Sequence, residues 1–336
     1  MSHRLSITSS ASHVDGRNLP PMKGNTPNMR RLRTCRSIEW VYNKDDESCS
    51  TPKLGRIILR VGETITIFPD DSRAVAEKDG SLPIMSYWYG KITKICLKPQ
   101  GQTHDVWLEI QWFYRKVDLE DVGVNLAQSM GDYELVLSDH KSFVDITCVE
   151  DHAMILSYNE GDLSQLEIPP ETLYHRWNIN ITFVKSRKDV RIRSVNLNNP
   201  QRATQCRCNN CDHELYCPSI AQRYCRKCRQ WFNDECLDTL ERRVDRHPAP
   251  ISPDVYGNID VDEEFLAMLT LPICRGGPYG VVGNGSIYAR AKSMLHDGKI
   301  HGKLPEEWRN ILMDAESLDY EGLSYYKCPC CVDVLC

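Results

Sequence analysis

The feature that most restricts what this chain can fold into is where its cysteines fall. It has 16 in 336 residues, and most lie between Cys206 and Cys336, several of them two or three residues apart. No apolar run approaches the roughly 18 residues of a membrane span, and the opening MSHRLSITSS lacks the apolar stretch of a signal peptide. The chain is therefore expected inside the cell, away from membranes. In a reducing compartment closely spaced cysteines mean metal more often than disulfides. Zinc takes four thiolate or imidazole ligands in a tetrahedron, and Cys pairs on tight turns supply them two at a time. Cys225-x-x-Cys228 and Cys328-x-x-Cys331 are such pairs.

The rest of the sequence divides around that cluster. Residues 1–53 are rich in Ser, Asn, Pro and Arg and read as a disordered arm, with a basic stretch at Arg30, Arg31, Arg33 and Arg36. From 54 to 195 come short β-runs separated by turn residues, at 57–68, 88–97, 106–114, 133–137, 144–149 and 177–184. Such spacing predicts a small barrel. In the third run Val106, Leu108, Ile110, Trp112 and Tyr114 share one parity, so the strand has two distinct faces. A polar linker, 196–205, follows the basic cluster Lys185, Arg187, Lys188, Arg191 and Arg193. Farther on, the pattern turns helical. Ser286 is placed to cap a helix striped by Ile287, Ala291, Met294 and Leu295 and ended by Gly298. Pro305 opens another, with Trp308, Ile311, Leu312 and Ala315 on its inner face. The fold expected is two-domain: a mainly β barrel followed by a small zinc-bound α+β lobe with a helical insertion.

Three stretches of the first domain are recognisable: YWYGKITKI at 87–95, VWLEIQWFYRKVD at 106–118 and ELVLSDHKSFVDITCV at 134–149. Together, in this order and over about 140 residues, they resemble a bromo-adjacent homology (BAH) domain. The resemblance implies a twisted β-barrel, a place in chromatin, and binding to histones or nucleosomes. Some members hold a methylated lysine in an aromatic cage. Matched residue by residue, Trp88, Trp112 and Tyr114 take the cage positions, with Asp139 or His140 nearby to select the methylation state. The chemistry is coherent, because a poorly hydrated quaternary ammonium is drawn to ring faces by about 0.5 to 2 kcal/mol per contact. The alternative is that the same rings fill a core.

The stretch YCRKCRQWFNDEC resembles the centre of a PHD finger, whose two zinc sites interleave four ligand pairs. On that template Cys225, Cys228, Cys328 and Cys331 make one site, while Cys206, Cys208 and Cys236 contribute to the other. Two departures stand out. Asn233 occupies the ligand-histidine position, and an amide is a poor zinc ligand. The missing ligand is then Cys211, Cys217 or His213, with Cys211 favoured. The second departure is an insertion of 91 residues, 237–327, between the sixth and seventh ligand positions. The module 206–336 is expected to carry two zinc ions, chiefly in a structural role.

These readings point to a non-catalytic, nuclear, chromatin-binding protein that contacts a histone tail or nucleosome and other chromatin proteins. A net charge of −5 gives no global attraction to nucleic acid, so DNA contact would come only from the local basic patches. The chain has no phosphate-binding glycine loop and no HExxH helix; GGPYGVVGNG at 276–285 lacks the Lys-Ser/Thr of a P-loop and reads as a turn-rich loop. Two competing functions remain. One is a RING-like ubiquitin ligase, which Asn233 and the long insertion fit poorly. The other is nonspecific DNA binding, which steep salt dependence would reveal.

Overall fold

The computed structural model describes residues 32–44, 53–68, 82–100, 103–121, 123–185, 190–198, 215–244, 259, 261–313, 323–331 and 333–335. The chain divides into two compact units. The first comprises residues 1–127, 132–156 and 173–199, and the second 128–131, 157–172 and 200–336. The second unit thus draws in two short pieces of the span 54–195 that the sequence assigned to the β-domain.

The first unit is mostly β-sheet. Its strands are β1 (Arg33–Cys35), β2 (Ser37–Lys44), β3 (Lys53–Arg60), β4 (Thr64–Ile67), β5 (Trp88–Gln100), β6 (Thr103–Arg115), β7 (Glu134–Asp145), β8 (Val149–His152), β9 (Leu156–Ser157), β10 (Tyr174–Lys185) and β11 (Val190–Asn198), with the short helix α1 (Lys116–Asp121) after β6. The main sheet runs β11-β10-β7-β6-β5-β4-β8, with β1 on β5 and β9 on β10, while β2 and β3 form a separate antiparallel pair. The mainly β expectation holds for this unit, and no closed barrel is formed by the described residues, where no pairing joins β8 to β11. Strand β10 lies parallel to β7, so the chain crosses over between them instead of meandering round to close.

Period-two patterning made these strands. Val106, Leu108, Ile110, Trp112 and Tyr114 are all buried, whereas Trp107, Glu109 and Gln111 are half-buried. Phe113 is buried as well, against Tyr89, Leu135 and Leu173, so that end of β6 is covered on both faces. Gly90 lets β5 approach β6 closely, because a Cβ there would meet Ile110 Cγ2 at 2.1 Å. The arm assignment is corrected over Arg33–Lys44: Ile38 and Trp40 are half-buried while Glu39 and Val41 are exposed, an alternation that β3 completes. Arg30 and Arg31 lie outside the described residues, as do the side chains of Lys185, Arg187, Lys188 and Arg191 and the linker from 199 onward.

The second unit contains β12 (Gln222–Cys225), β13 (Gln230–Asn233), α2 (Asp234–Thr239), β14 (Arg243–Val244), α3 (Glu263–Thr270), β15 (Cys274–Arg275), α4 (Gly285–His301), α5 (Trp308–Met313) and β16 (Tyr325–Tyr326). Phe265, Leu269, Ala291, Met294, Leu295, Trp308 and Leu312 make one apolar cluster, so the stripes of both expected helices do form core. Their ends differ from expectation. Helix α4 ends at Gly302, in the left-handed region at φ 80°, and not at Gly298. Asn284, not Ser286, stands at its N-cap, and the Asn284 side chain is spent on the Cys274 N–H and the Pro272 carbonyl. Ile311 is exposed, and Ala315 lies outside the described residues. The insertion is also not a wholly separate lobe, because β15 joins β12 and β13 in one sheet.

Candidate metal centre and the aromatic residues of the sheet

The hairpin β12–β13 builds half of the metal site. Arg229 adopts a positive φ of 53°, and its N–H donates to the Cys225 carbonyl at 2.7 Å, closing a tight turn. Inside that turn the Cys228 N–H points at Cys225 Sγ, 3.3 Å away. The C-terminal stretch repeats the device. The Cys330 N–H faces Cys328 Sγ at 3.4 Å, and the Cys328 N–H donates to the Asp333 carbonyl. The four sulfurs of Cys225, Cys228, Cys328 and Cys331 all lie within 4.8 Å of one another. Cys225 Sγ is 3.6 Å from Cys331 Sγ, and Cys228 Sγ is 3.7 Å from Cys328 Sγ. A tetrahedron with metal–sulfur bonds of about 2.3 Å has edges of roughly 3.8 Å, so the set fits one tetrahedral ion.

The electrostatics of the thiols are mixed: Cys331, despite desolvation, is lowered by hydrogen bonds from the Asp333 backbone and the other cysteines, whereas two of its partners are raised. Burial, together with the neighbouring thiols, pushes the Cys225 thiol up to about 11, and the same causes raise Cys228. Without a cation these two thiols would stay protonated at neutral pH; a bound metal supplies the charge that ionises them. Phe232, Leu237, Tyr326 and Leu335 pack around the cysteines. Lys227 and Asp333 form an exposed ion pair beside them.

Most of the second ligand set falls outside the described residues. Cys206, Cys208, Cys211 and His213 lie outside the described residues, and Cys236 is buried. Asn233 is committed elsewhere: its Oδ1 accepts from Gln222 Nε2 at 2.7 Å, and Gln222 Oε1 accepts from Arg275 Nε at 3.0 Å. Cys217 Sγ lies 3.0 Å from Ser219 Oγ and 3.5 Å from the Gln128 carbonyl.

Sequence reasoning missed the buried charges of the second unit. Arg275 is fully buried, stacked between Tyr216 and Trp231 at 3.9 and 4.0 Å. Arg223, opposite Cys274 on β15, chelates Asp234 and reaches Cys274 Sγ and the Tyr279 hydroxyl, each at 2.7 Å. The glycine-rich loop also has a role. The Glu167 carboxylate accepts backbone N–H groups from Val281, Val282 and Gly283, a nest of the kind that binds anions. A Cβ at Gly280 would sit 2.6 Å from that carboxylate, at a φ of 79°. The run of glycines was the available signal; its partner, 113 residues earlier, had none.

In the first unit, two of the three residues matched to cage positions meet, and all three are closed. Trp88 and Trp112 meet edge to face, with centroids 6.2 Å apart at 76°. Trp112 and Tyr114 are 0% exposed and Trp88 is 6% exposed. Trp112 Nε1 donates to Ser142 Oγ, and the Tyr114 hydroxyl contacts His140 Nδ1 at 3.0 Å. The Arg115 guanidinium sits 4.4 Å over the Trp88 ring, held there by a two-oxygen pair with Asp118 and by the Met85 carbonyl. Asp139 accepts from the Ile181 N–H.

No protein-family model and no curated protein matches the sequence. Among solved structures, the yeast Rsc2 BAH domain is a neighbour at 14% identity, covering 39% of this chain and 51% of that chain, with a TM-score of 0.25. The match therefore spans about half of that chain. No helix among the described residues is long and apolar enough to cross a membrane.

Proposed function

We propose that this chain is a non-catalytic chromatin-binding protein of the nucleus. Its β-sheet unit contacts a histone tail or nucleosome, and its second unit is held together by zinc. The observation that carries the reading is the placement of the three recognisable stretches. Residues 87–95, 106–118 and 134–149 fall chiefly on β5, β6 and β7, which are consecutive neighbours in one sheet.

Zinc suits the four-sulfur site because an all-thiolate tetrahedron favours it over harder cations. A second zinc would draw on Cys206, Cys208, Cys211 and Cys236. Methyl-lysine capture by Trp88, Trp112 and Tyr114 requires the Arg115 guanidinium to leave Trp88, since no ring of the three is open as they stand.

The test is binding of the zinc-loaded full chain to reconstituted nucleosomes and to an array of modified histone peptides, beside free DNA of equal length. Saturable binding near 1 μM, about 8 kcal/mol, that exceeds the DNA control supports the reading. Binding no tighter than to free DNA, with a steep salt dependence, replaces it with nonspecific DNA binding.

A further inference from the structure

Close to the closed rings lies an open aromatic pair. Phe68, just past the end of β4, meets Tyr87, just before β5, with ring centroids 6.4 Å apart at 74°. Phe68 is 55% exposed, Ile84 is exposed, and Tyr87 is half-buried. The base of the pair is fixed. The Phe68 N–H donates to the Cys148 carbonyl, Ile67 pairs with Trp88, and the Tyr87 carbonyl accepts from Arg115. Large rings left this open cost solvation unless something covers them.

The neighbouring charge says what kind of partner fits. Strand β8 pairs with β4, with Thr66 opposite Asp151 and Ile67 opposite Val149, so Glu150 bulges out between them. Glu150 and Asp151 are both exposed. The Arg115 charge on the inner side is neutralised by Asp118. Two rings set nearly edge to face beside exposed carboxylates suit a cation carried on a chain: the rings take the alkyl and ammonium surface, and the carboxylates attract the charge.

We propose that the Phe68–Tyr87 corner is the seat for a cationic side chain of an extended basic peptide. The proposal deepens the chromatin-binding reading and depends on it only for the origin of the peptide. The rings act through their faces, so the cation gains whether its ammonium is methylated or plain.

Anisotropy titrations of the full zinc-loaded chain test this. The probes are a fluorescent histone-tail peptide, its trimethyl-lysine form, and an uncharged isostere bearing a tert-butyl group in place of the ammonium. Phe68→Leu keeps the apolar surface and removes the ring; Tyr87→Leu does the same on the other wall. Near-UV circular dichroism and the wild-type melting temperature check each fold. The expected result is about a tenfold rise in Kd for either variant and for the neutral isostere with the native chain. Equal binding of charged and neutral peptides, unchanged Kd in both variants, or no peptide binding by the native chain overturns the corner. Nucleosome binding that survives in Phe68→Leu while the peptide effect is absent rejects the corner and leaves the chromatin reading standing; loss of nucleosome binding by the native chain rejects that reading separately.

Discussion

The two units solve the same problem by different means. In the first, strands of 12 and 13 residues pair along β5, β6 and β7, and alternating Val, Leu, Ile and aromatic side chains fill the space beneath them. In the second, the strands around the metal site are only two to four residues long. Order there comes from point contacts: four sulfurs, two buried arginines and one carboxylate in a nest of N–H groups. Long ladders distribute stability, so removing one side chain leaves a sheet. Point contacts concentrate it, so removing one leaves little ladder to fall back on.

Metal removal should separate the units most sharply. Zinc contributes on the order of 10 kcal/mol to a module with a small core of its own. Chelation, or Cys328→Ser at a fully buried ligand, should abolish amide protection in β12, β13, α2 and β16, which pack on the cysteines, and leave protection in β5–β7 intact. Parallel loss in both regions would show that the sheet depends on the metal too. Unchanged exchange on chelation would remove zinc from the account.

Within the sheet, Trp112→Ala should cost about 3 to 5 kcal/mol, because the ring is wholly buried and Ser142 loses its donor. Urea unfolding followed by circular dichroism measures it. A cost below about 1 kcal/mol would mean that the ring is not core, and would return it to the role of a ligand wall.

The sheet's patterning was legible because side chains on strands repeat every two residues, and the strand 106–114 carried that repeat almost unbroken. The arm escaped at Ile38 and Trp40, whose alternation spans only a few residues and whose partner strand lies beyond a polar stretch. Closure into a barrel was not legible at all, since which edges pair depends on chain crossovers that leave no local trace. The Cys225, Cys228, Cys328 and Cys331 set was readable from spacing and template across an insertion of 91 residues. Arg223, Arg275 and Glu167 were not, because a buried charge is specified by a partner distant in sequence. Trp88 and Trp112 do meet edge to face, but sequence alone did not tell that all three matched rings are closed and that Arg115 lies on one of them.

Acid should find the sheet before the metal unit if His140 governs it. Burial depresses this imidazole to about 4, against an unfolded value near 6.5, with Asp139 pulling weakly the other way. The neutral ring is the one the folded state holds, its Nδ1 sharing a hydrogen bond with the Tyr114 hydroxyl. The unfolded chain therefore binds the extra proton first, and stability present above about pH 6.5 falls as pH drops toward 4, by about 3 kcal/mol in all. His140→Gln should flatten that part of the stability–pH curve. An unaltered slope would place the acid sensitivity elsewhere.

The smallest effect is the most discriminating for the second unit. Glu167 reaches the loop 281–283 from the segment 157–172, independently of the metal ligands. Glu167→Ala leaves three backbone donors without their acceptor and should cost about 1 to 3 kcal/mol, while Glu167→Gln, which keeps one acceptor oxygen, should cost less. Zinc should still bind both variants in full. If instead Glu167→Ala releases zinc, the nest and the four sulfurs form one cooperative element, and the second unit has a single point of failure. If the stoichiometry holds and only local exchange in 276–285 rises, its contacts fail one at a time, and the concentration of stability inferred from its short strands belongs to the metal alone.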